Sequence, residues 1–573
     1  MRGEVAGVSL GSVPGFDRPD EPLAGERVST RTDRCLVWTL LGVVNFPIVV
    51  ATVRGLARGW WPLGDNGVLL VQALDVGTEH HHLLGPWTSA SLVVGETIHN
   101  PGPLYYDLLA PFVRALGPWV GLAIGVMAIN MAASSLAVVA ARRLGGAVAM
   151  LGVAAALTGL QYAMGSELLY DAWQPNALVL PFLAFLVVAG AASRGDVAMV
   201  PWLVGLGSLV VQTHVSQVTV VGVAGTVAVA SWAWHVARAN QRPTRGPLVA
   251  SAVVVVVAWC QPVVQELLNL GDGNLSRLLR AATSGDAERL GLGRGVSVVG
   301  ELLISSPWFT RGTYSRWSIG GGLTGPADRP LANALVVAVT VGALAVVAWW
   351  HARHRRVGLA AFTVLAAVML AATVVAVATS PPSVAGISSH QMRWAWVTAA
   401  FAWAALLCAL LCLVGVAAAH QGEPPSRRPL FAVRAVLAVL VLVVAANLPT
   451  YEGEVPGPGL EHEARPALGE LIDEAGALAG RGTIFFDFTG VRFNDPYSYP
   501  VAASLVARGV PVVVEGDALV GYFGEGRRHD DRADLRVWQV EGPEALEPPP
   551  GVERVALAEG PRGPVALFAE PLR

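Results

Sequence analysis

Long runs of Val, Leu and Ala, separated by short polar stretches, dominate the chain. Eleven such runs fall near residues 36–54, 117–140, 145–164, 174–192, 198–213, 216–236, 249–268, 332–350, 357–379, 394–418 and 430–448. Each is roughly long enough to cross a ~30 Å hydrocarbon core as a helix. The fifth run is short, and its border with the sixth is not sharp. Arginines mark alternate connections: Arg142 and Arg143 after the second run, Arg194 after the fourth, Arg238, Arg242 and Arg245 after the sixth. Arg353, Arg355 and Arg356 follow the eighth run, and Arg427 and Arg428 the tenth. All of these fall on one side together with the N-terminus, which the positive-inside tendency makes the cytoplasm. Segments 55–116, 165–173, the turn near 214, 269–331, 380–393 and everything after 449 then share the outer side.

Composition supports a polytopic membrane protein. Of 573 residues, 53% are hydrophobic and only 14% charged, with a mean hydropathy of +0.53. Soluble domains carry about 25% charge, so this chain cannot cover a water-facing surface of its size. A net charge of -3 does not suggest nucleic acid as a partner, and there is no lysine. The four cysteines, Cys35, Cys260, Cys408 and Cys412, sit in or beside apolar runs and read as small buried hydrophobes. Residues 1–34 are polar and begin no early apolar core, so they read as a disordered cytoplasmic tail and not as a cleavable signal.

After residue 449 the pattern changes. Pro and Gly cluster at 455–459, and a helical stretch follows over roughly 461–480. "GTIFFDF" reads as a buried strand, "YPVAASLVARG" as a helix closed by Gly509, and "VPVVVEGD" as a second strand. "RVWQV", "VERVALAE" and "VALFAE" add candidate strands, giving a small α/β domain over 449–573. No glycine-rich phosphate loop opens its helix.

The chemistry gathers at the outer edge. Asp65 follows the first run by about ten residues, and Leu69, Leu70, Ala73 and Leu74 recur at helical spacing, predicting an amphipathic surface helix over 66–77. Asp65 at its start suits either a helix cap or a functional carboxylate. "ETIHNPGPLYYDLLAPF" carries His99, a rigid Pro-Gly-Pro turn, and Tyr105 and Tyr106, which suit an interfacial anchor or a cavity wall. "GSELLYDAWQPNALVLPF" places Glu167 and Asp171 before the fourth run. Gln212 and His214 end the fifth run, Gln261, Gln265 and Glu266 the seventh, and His390 and Arg393 open the tenth. Polar groups at such depth face a cavity or a partner. His80, His81 and His82 are consecutive, so on a helix they point apart and do not converge on one ion.

An acidic residue early in the first outer loop, a helix, and then a His-x-Pro-x-Pro-Leu-Tyr-Tyr segment resemble the C-type (GT-C) membrane glycosyltransferases. The similarity is to their protein mannosyltransferase and aminoarabinose transferase group (glycosyltransferase family 39-like, actinobacterial in type). It covers the first ~115 residues by motif and 1–448 by topology. Where that group carries Asp-Glu, this chain has Asp65-Asn66. The second acid is lost, and no metal is expected there; a divalent ion is left open, and no cofactor is assigned. The resemblance implies about eleven spans and inverting transfer of a sugar from a polyprenyl-phosphate donor to an outer glycan, lipid or protein acceptor. Such a reaction needs a cation for the departing phosphate, here Arg393 with His390, and a base for the attacking hydroxyl, here Asp65. His99, Tyr105, Tyr106, Glu167, Asp171, Gln212, His214 and Glu266 are then expected around the substrate. Two other readings stay open: a transporter of lipid-linked glycans, against which stands the absence of repeated halves, and a non-catalytic assembly protein on the same fold.

Overall fold

The computed structural model describes residues 30–239, 244–283, 289–304, 329–381, 392–420, 428–448, 462–492 and 495–572. Most of the expected tail 1–34 therefore lies outside the described residues. All eleven apolar runs fall on helices. Among the described residues eight helices are long and apolar enough to cross a membrane, and one of these, Pro118–Met164, contains the second and third runs. Its backbone leaves helical geometry at Gly145 and Gly146 (φ 62° at Gly146), directly after Arg142 and Arg143. The remaining two runs fall on Val200–Thr213 and Arg428–Asn447, which are shorter apolar helices. Val179–Ser193 is buried at every residue and forms the axis of the bundle. Its length of plain Val, Leu, Phe and Ala has no polar face to turn outward, so it is surrounded.

Two rims follow. At one, Arg142 donates to Asp33 (Nε to Oδ2, 2.9 Å) and Arg143 pairs with Asp196 at 2.9 Å. The helices Val218–Ala239 and Pro330–Arg353 end there with guanidiniums over indoles, Arg238 on Trp234 at 4.7 Å and Arg353 on Trp349 at 5.3 Å. Such pairs suit a headgroup layer, where a ring and a cation share one interface.

The other rim carries the C-terminal α/β unit. Its sheet has the order β2-β1-β3-β5-β4, with β1 Ile484–Asp487, β2 Val512–Val513, β3 Leu535–Glu541, β4 Glu553–Gly560 and β5 Gly563–Pro571. β1 runs parallel to β2 and β3, and β5 is antiparallel to β3 and β4. The register sets Phe486 against Val537, and Val537 against Ala569, on one buried face. Helices Ala464–Ala475 and Ser498–Ala507 cover that face. A single hydrophobic cluster then runs from Leu122 and Val126 through Leu69 and Leu70 to Val501, Ile484 and Val537, joining bundle and sheet.

Two expectations change. The helix over 66–77 forms at Asn66–Asp75, but it does not lie on the membrane surface: all its residues except Leu74 are buried. Its polar side, with Asn66, Gln72 and Asp75, faces groups supplied by the bundle and by the C-terminal unit. The segment 269–331, expected to be wholly outside the bundle, contributes Gly291–Ile304. This helix packs so closely on its neighbours that a Cβ on Gly295 would stand 2.4 Å from the Val374 carbonyl oxygen.

Candidate functional site

The site is built on three chain segments meeting at the second rim. The first is the turn Leu63–Gly64–Asp65. Gly64 has a positive φ of 55°, and its N–H donates to the Pro496 carbonyl at 3.2 Å. Asp65 itself is helical in backbone, and its side chain caps nothing, which removes the capping role. The Asp65 carboxylate instead accepts the indole N–H of Trp173 (Nε1 to Oδ2, 3.1 Å). The second segment is 165–173, which delivers that indole. The third is the start of Arg393–His420, where Arg393, 2% exposed, stands over the Trp173 ring at 5.7 Å. One indole thus holds Asp65 at its edge and Arg393 at its face. Burial pushes the Asp65 carboxyl above its ordinary value, and the Trp173 bond only partly opposes this. His390 lies outside the described residues.

Asp171 lies in the same group. It accepts from Asn66 (2.6 Å) and Asn176 (2.5 Å) and is fully buried. Burial raises its carboxyl to about 7, against the bonds from Asn176 and Asn66 and the nearby charge of Arg393. The position where the resembling group carries a second acid is therefore the amide that solvates Asp171; an acid there would face another carboxylate. Tyr105 and Tyr106 are buried, and the Tyr105 hydroxyl donates to the Ala172 carbonyl at 2.9 Å, bracing the segment that carries Trp173.

The other expected residues are engaged elsewhere. Glu167 accepts from Trp60 (3.2 Å) and pairs with Arg465 and with His462 (3.2 Å) of the C-terminal unit. Burial would raise its carboxyl, but Arg465 and His462 outweigh this and hold it below its ordinary value. Glu266 accepts from the backbone N–H groups of Leu275 (2.9 Å) and Ser276 (3.3 Å), fixing the start of Asn274–Thr283 instead of lining a cavity. Gln212 donates to the Ala258 carbonyl at 2.6 Å and packs under Gly102, and His214 meets the Ser216 hydroxyl at 2.7 Å. His99 spans the seam between the two parts of the protein, its Nε2–H donating to the Gly521 carbonyl at 3.2 Å. Burial holds His99 down at about 4, so it is neutral there near pH 7.

The three histidines lie in the turn and loop after Asn66–Asp75, not on a helix, and go to different partners. His80 packs on Gly526 and His82 on Gly524, while His81 accepts the Gly77 N–H at Nδ1 (2.8 Å) and reaches Gln261 Oε1 through Nε2 (2.7 Å). The backbone donor leaves Nδ1 unprotonated, so Nε2–H is the donor, and Gln261 passes the chain on to Asp107 at 2.7 Å. Among the described residues no group of three or more His, Cys, Asp or Glu could hold a metal ion.

The C-terminal unit closes over this arrangement. Arg527 forms a two-pronged pair with Asp75 (3.0 and 2.6 Å), and Gln72 bonds the Tyr522 carbonyl. Tyr522 stacks near Trp87 (centroids 5.1 Å) and lies 6.1 Å from Tyr499. Both phenols sit close enough to Asp65 for its charge to add to burial in raising them. A Cβ on Gly67 would lie 2.3 Å from the backbone carbon of Tyr499, so only glycine permits this approach. A shallow open groove along Val218–Ala239 is lined by Val221, Gly225, Thr226 and Val229, none of them a candidate residue.

Comparison with known proteins gives similarity only in solved structures. The chain is similar to ArnT from Cupriavidus metallidurans bound to undecaprenyl phosphate, with 14% identity over 94% of this chain and 98% of that one, and a TM-score of 0.45. It is also similar to the same protein in the apo state, with 13% identity over 89% of this chain and 94% of that one, and a TM-score of 0.47. No family model and no curated protein matches the chain.

Sequence reasoning brought Asp65, Asp171 and Arg393 to one rim but did not assign Trp173 the joining role. The Trp-Gln-Pro stretch offered the signal: Pro175 suits the first turn of Gln174–Ala177, which makes Trp173 the residue just outside that helix, where its backbone is extended with ψ 125°. Tyr499 and Tyr522 gave no comparable local signal.

Proposed function

We propose that the protein is an integral-membrane, inverting glycosyltransferase of GT-C type. In this reading it moves a sugar from a polyprenyl-phosphate donor to a hydroxyl-bearing acceptor on the extracytoplasmic side. The arginine rim faces the cytoplasm, and the α/β unit, residues 449–573, stands outside. The single observation that carries the reading is the Trp173 indole shared between the Asp65 carboxylate and the Arg393 guanidinium.

The geometry suits the chemistry step by step. The prenyl tail stays in lipid, so the donor phosphate arrives at headgroup depth beside Arg393. As the sugar–phosphate bond breaks, negative charge grows on the leaving oxygen, and a buried guanidinium stabilises it. The acceptor hydroxyl attacks the anomeric carbon from the opposite side and gives its proton to Asp65. Trp173 occupies one carboxylate oxygen and leaves the other for that proton. A carboxyl with a raised pKa is the better base. Asp171, kept near neutral and tied to two amides, holds the loop instead of taking part. Glu167 and Glu266 serve in ion pairing and capping and have no substrate role in this reading. What favours an enzyme over a non-catalytic scaffold is that Asp65 caps no helix and, among the described residues, accepts only from the Trp173 indole, so its carboxylate has little structural task.

The test supplies membranes with radiolabelled polyprenyl-phosphate mannose, arabinose or glucose and follows transfer by wild type and by Asp65→Asn. Wild type transfers one label, and the variant loses about 10²- to 10⁴-fold in rate. Transfer that is equal in both would remove Asp65 as base, and no transfer of any label by wild type would remove the enzyme reading.

A further inference from the structure

The two parts of the protein meet over Asp65, and the C-terminal unit brings aromatic side chains to that meeting. Phe523 and Tyr497 are fully buried in its core, as such rings ordinarily are. Tyr499 and Tyr522 are not. Both keep accessible area, as do Asp65 and Trp173, although all four lie between the bundle and the C-terminal unit. The two phenol rings are tilted by 45° with centroids 6.1 Å apart, and Trp87 continues the wall at 5.1 Å from Tyr522. Phe488 extends it on the other side, 5.2 Å from Tyr499.

We infer that Tyr499 and Tyr522 form the acceptor half of the site, an aromatic platform for a neutral sugar unit of a glycan acceptor. This rests on the transferase reading above and names its acceptor class. A sugar ring has an apolar C–H face and a rim of hydroxyls, and a tyrosine offers a matching flat apolar body with a hydroxyl at its tip. The rings stand on the Asp65 side of the seam, so a sugar lying on them would hold a hydroxyl toward the carboxylate. The cations nearest to this seam are committed: Arg527 to Asp75, Arg465 to Glu167. The phenols themselves carry no charge, and the Arg393 guanidinium over Trp173 is assigned above to the donor phosphate, so a neutral sugar suits the platform. The feature that keeps it in place is Gly67, against which the Tyr499 backbone rests.

The experiment uses the full chain in detergent micelles and measures equilibrium binding of radiolabelled mannose and arabinose trisaccharides, with a Ser/Thr-rich peptide alongside. One trisaccharide binds saturably to wild type. Tyr499→Leu and Tyr522→Leu weaken it by about tenfold or more, while Tyr522→Phe, which keeps the ring, weakens it only a few-fold. In the transfer assay the leucine variants raise the acceptor KM and leave the donor KM within about twofold. Leucine variants that bind sugar like wild type, a peptide that binds where no sugar does, or a donor KM that moves as far as the acceptor KM would each overturn the proposal. Binding that behaves as stated without any transfer would count against the transferase reading alone, and the sugar platform would stand.

Discussion

The two rims of the bundle use the same ion-pair chemistry in opposite surroundings. At the arginine rim, Arg142 and Arg143 keep 49% and 47% of their side-chain surface exposed while pairing with Asp33 and Asp196. At the site rim, Arg527 and Asp75 keep 5% and 4%. An exposed pair is solvated before and after it forms, so it contributes about 0–1 kcal/mol. A buried pair has surrendered its water, so breaking it leaves a bare charge and costs about 3–5 kcal/mol. The difference teaches that the pairs of the first rim hold little together, whereas the second rim is a constructed joint. The candidate chemistry lies at the joint.

The comparison can be broken most severely at Asp65. Its replacement by Asn should cost the reaction about 10²- to 10⁴-fold while leaving the seam intact, read as transfer rate beside an unchanged thermal unfolding profile. Next comes Arg527→Met, which strands Asp75 and should weaken closure of the C-terminal unit by about 3–5 kcal/mol. Faster hydrogen exchange at the amides of Asn66–Asp75 would report it, and unchanged exchange would contradict the joint. Gly67→Ala forces a methyl against the Tyr499 backbone, so it should open the same amides and lower transfer together.

Acid should act more mildly and on the seam alone. His82 faces Asp75, Arg527 and His81, and burial, the largest cause, holds its ring down at about 4. His99 faces Gly521, His82, Arg277 and Glu525 and is likewise held at about 4 by burial. When the seam opens, both rings recover ordinary values near 6.5 and take up protons. The closed form therefore keeps its full stability above about pH 6.5 and loses it as pH falls toward 4, on the order of 1–3 kcal/mol per ring. Exchange at 66–75 measured between pH 7 and 5 checks the sign. Trp173→Phe tests the other pKa. Without the indole donor the Asp65 carboxyl rises further, so the acid limb of the transfer rate should move to higher pH. The smallest effect belongs to the exposed rim: Arg142→Met should change thermal unfolding by no more than about 1 kcal/mol.

Most of the bundle was legible because a membrane crossing leaves a long unbroken signal. The α/β unit was also readable, since its strands alternate or run short and apolar between glycines. Legibility failed where burial is supplied by a distant segment. Asn66–Asp75 reads as amphipathic because its own residues are, yet its polar side is covered by groups more than 400 positions away, such as Tyr522. Gly291–Ile304 is too short for a span and too mixed for a core helix, so nothing local places it against Val374. Asp65 and Arg393 were found by rim position, but the ring between them had to be seen. Glu167 and Glu266 looked like site residues for the same reason that Asp65 did. Rim position does not distinguish a carboxylate held by an arginine or by backbone N–H groups, as Glu167 and Glu266 are, from one with a single indole donor, as Asp65 is.

The contact between Gln72 and Tyr522, like that between Asp75 and Arg527, joins residues 450 and 452 positions apart. During synthesis the first loop emerges early, and its cover is made last. Until Tyr522 and Arg527 have been made, the helix Asn66–Asp75 lacks the partners that cover its polar side. A chain released before that point would carry its apolar helices with Gln72 and Asp75 uncovered, so closure of this joint waits on a segment made much later.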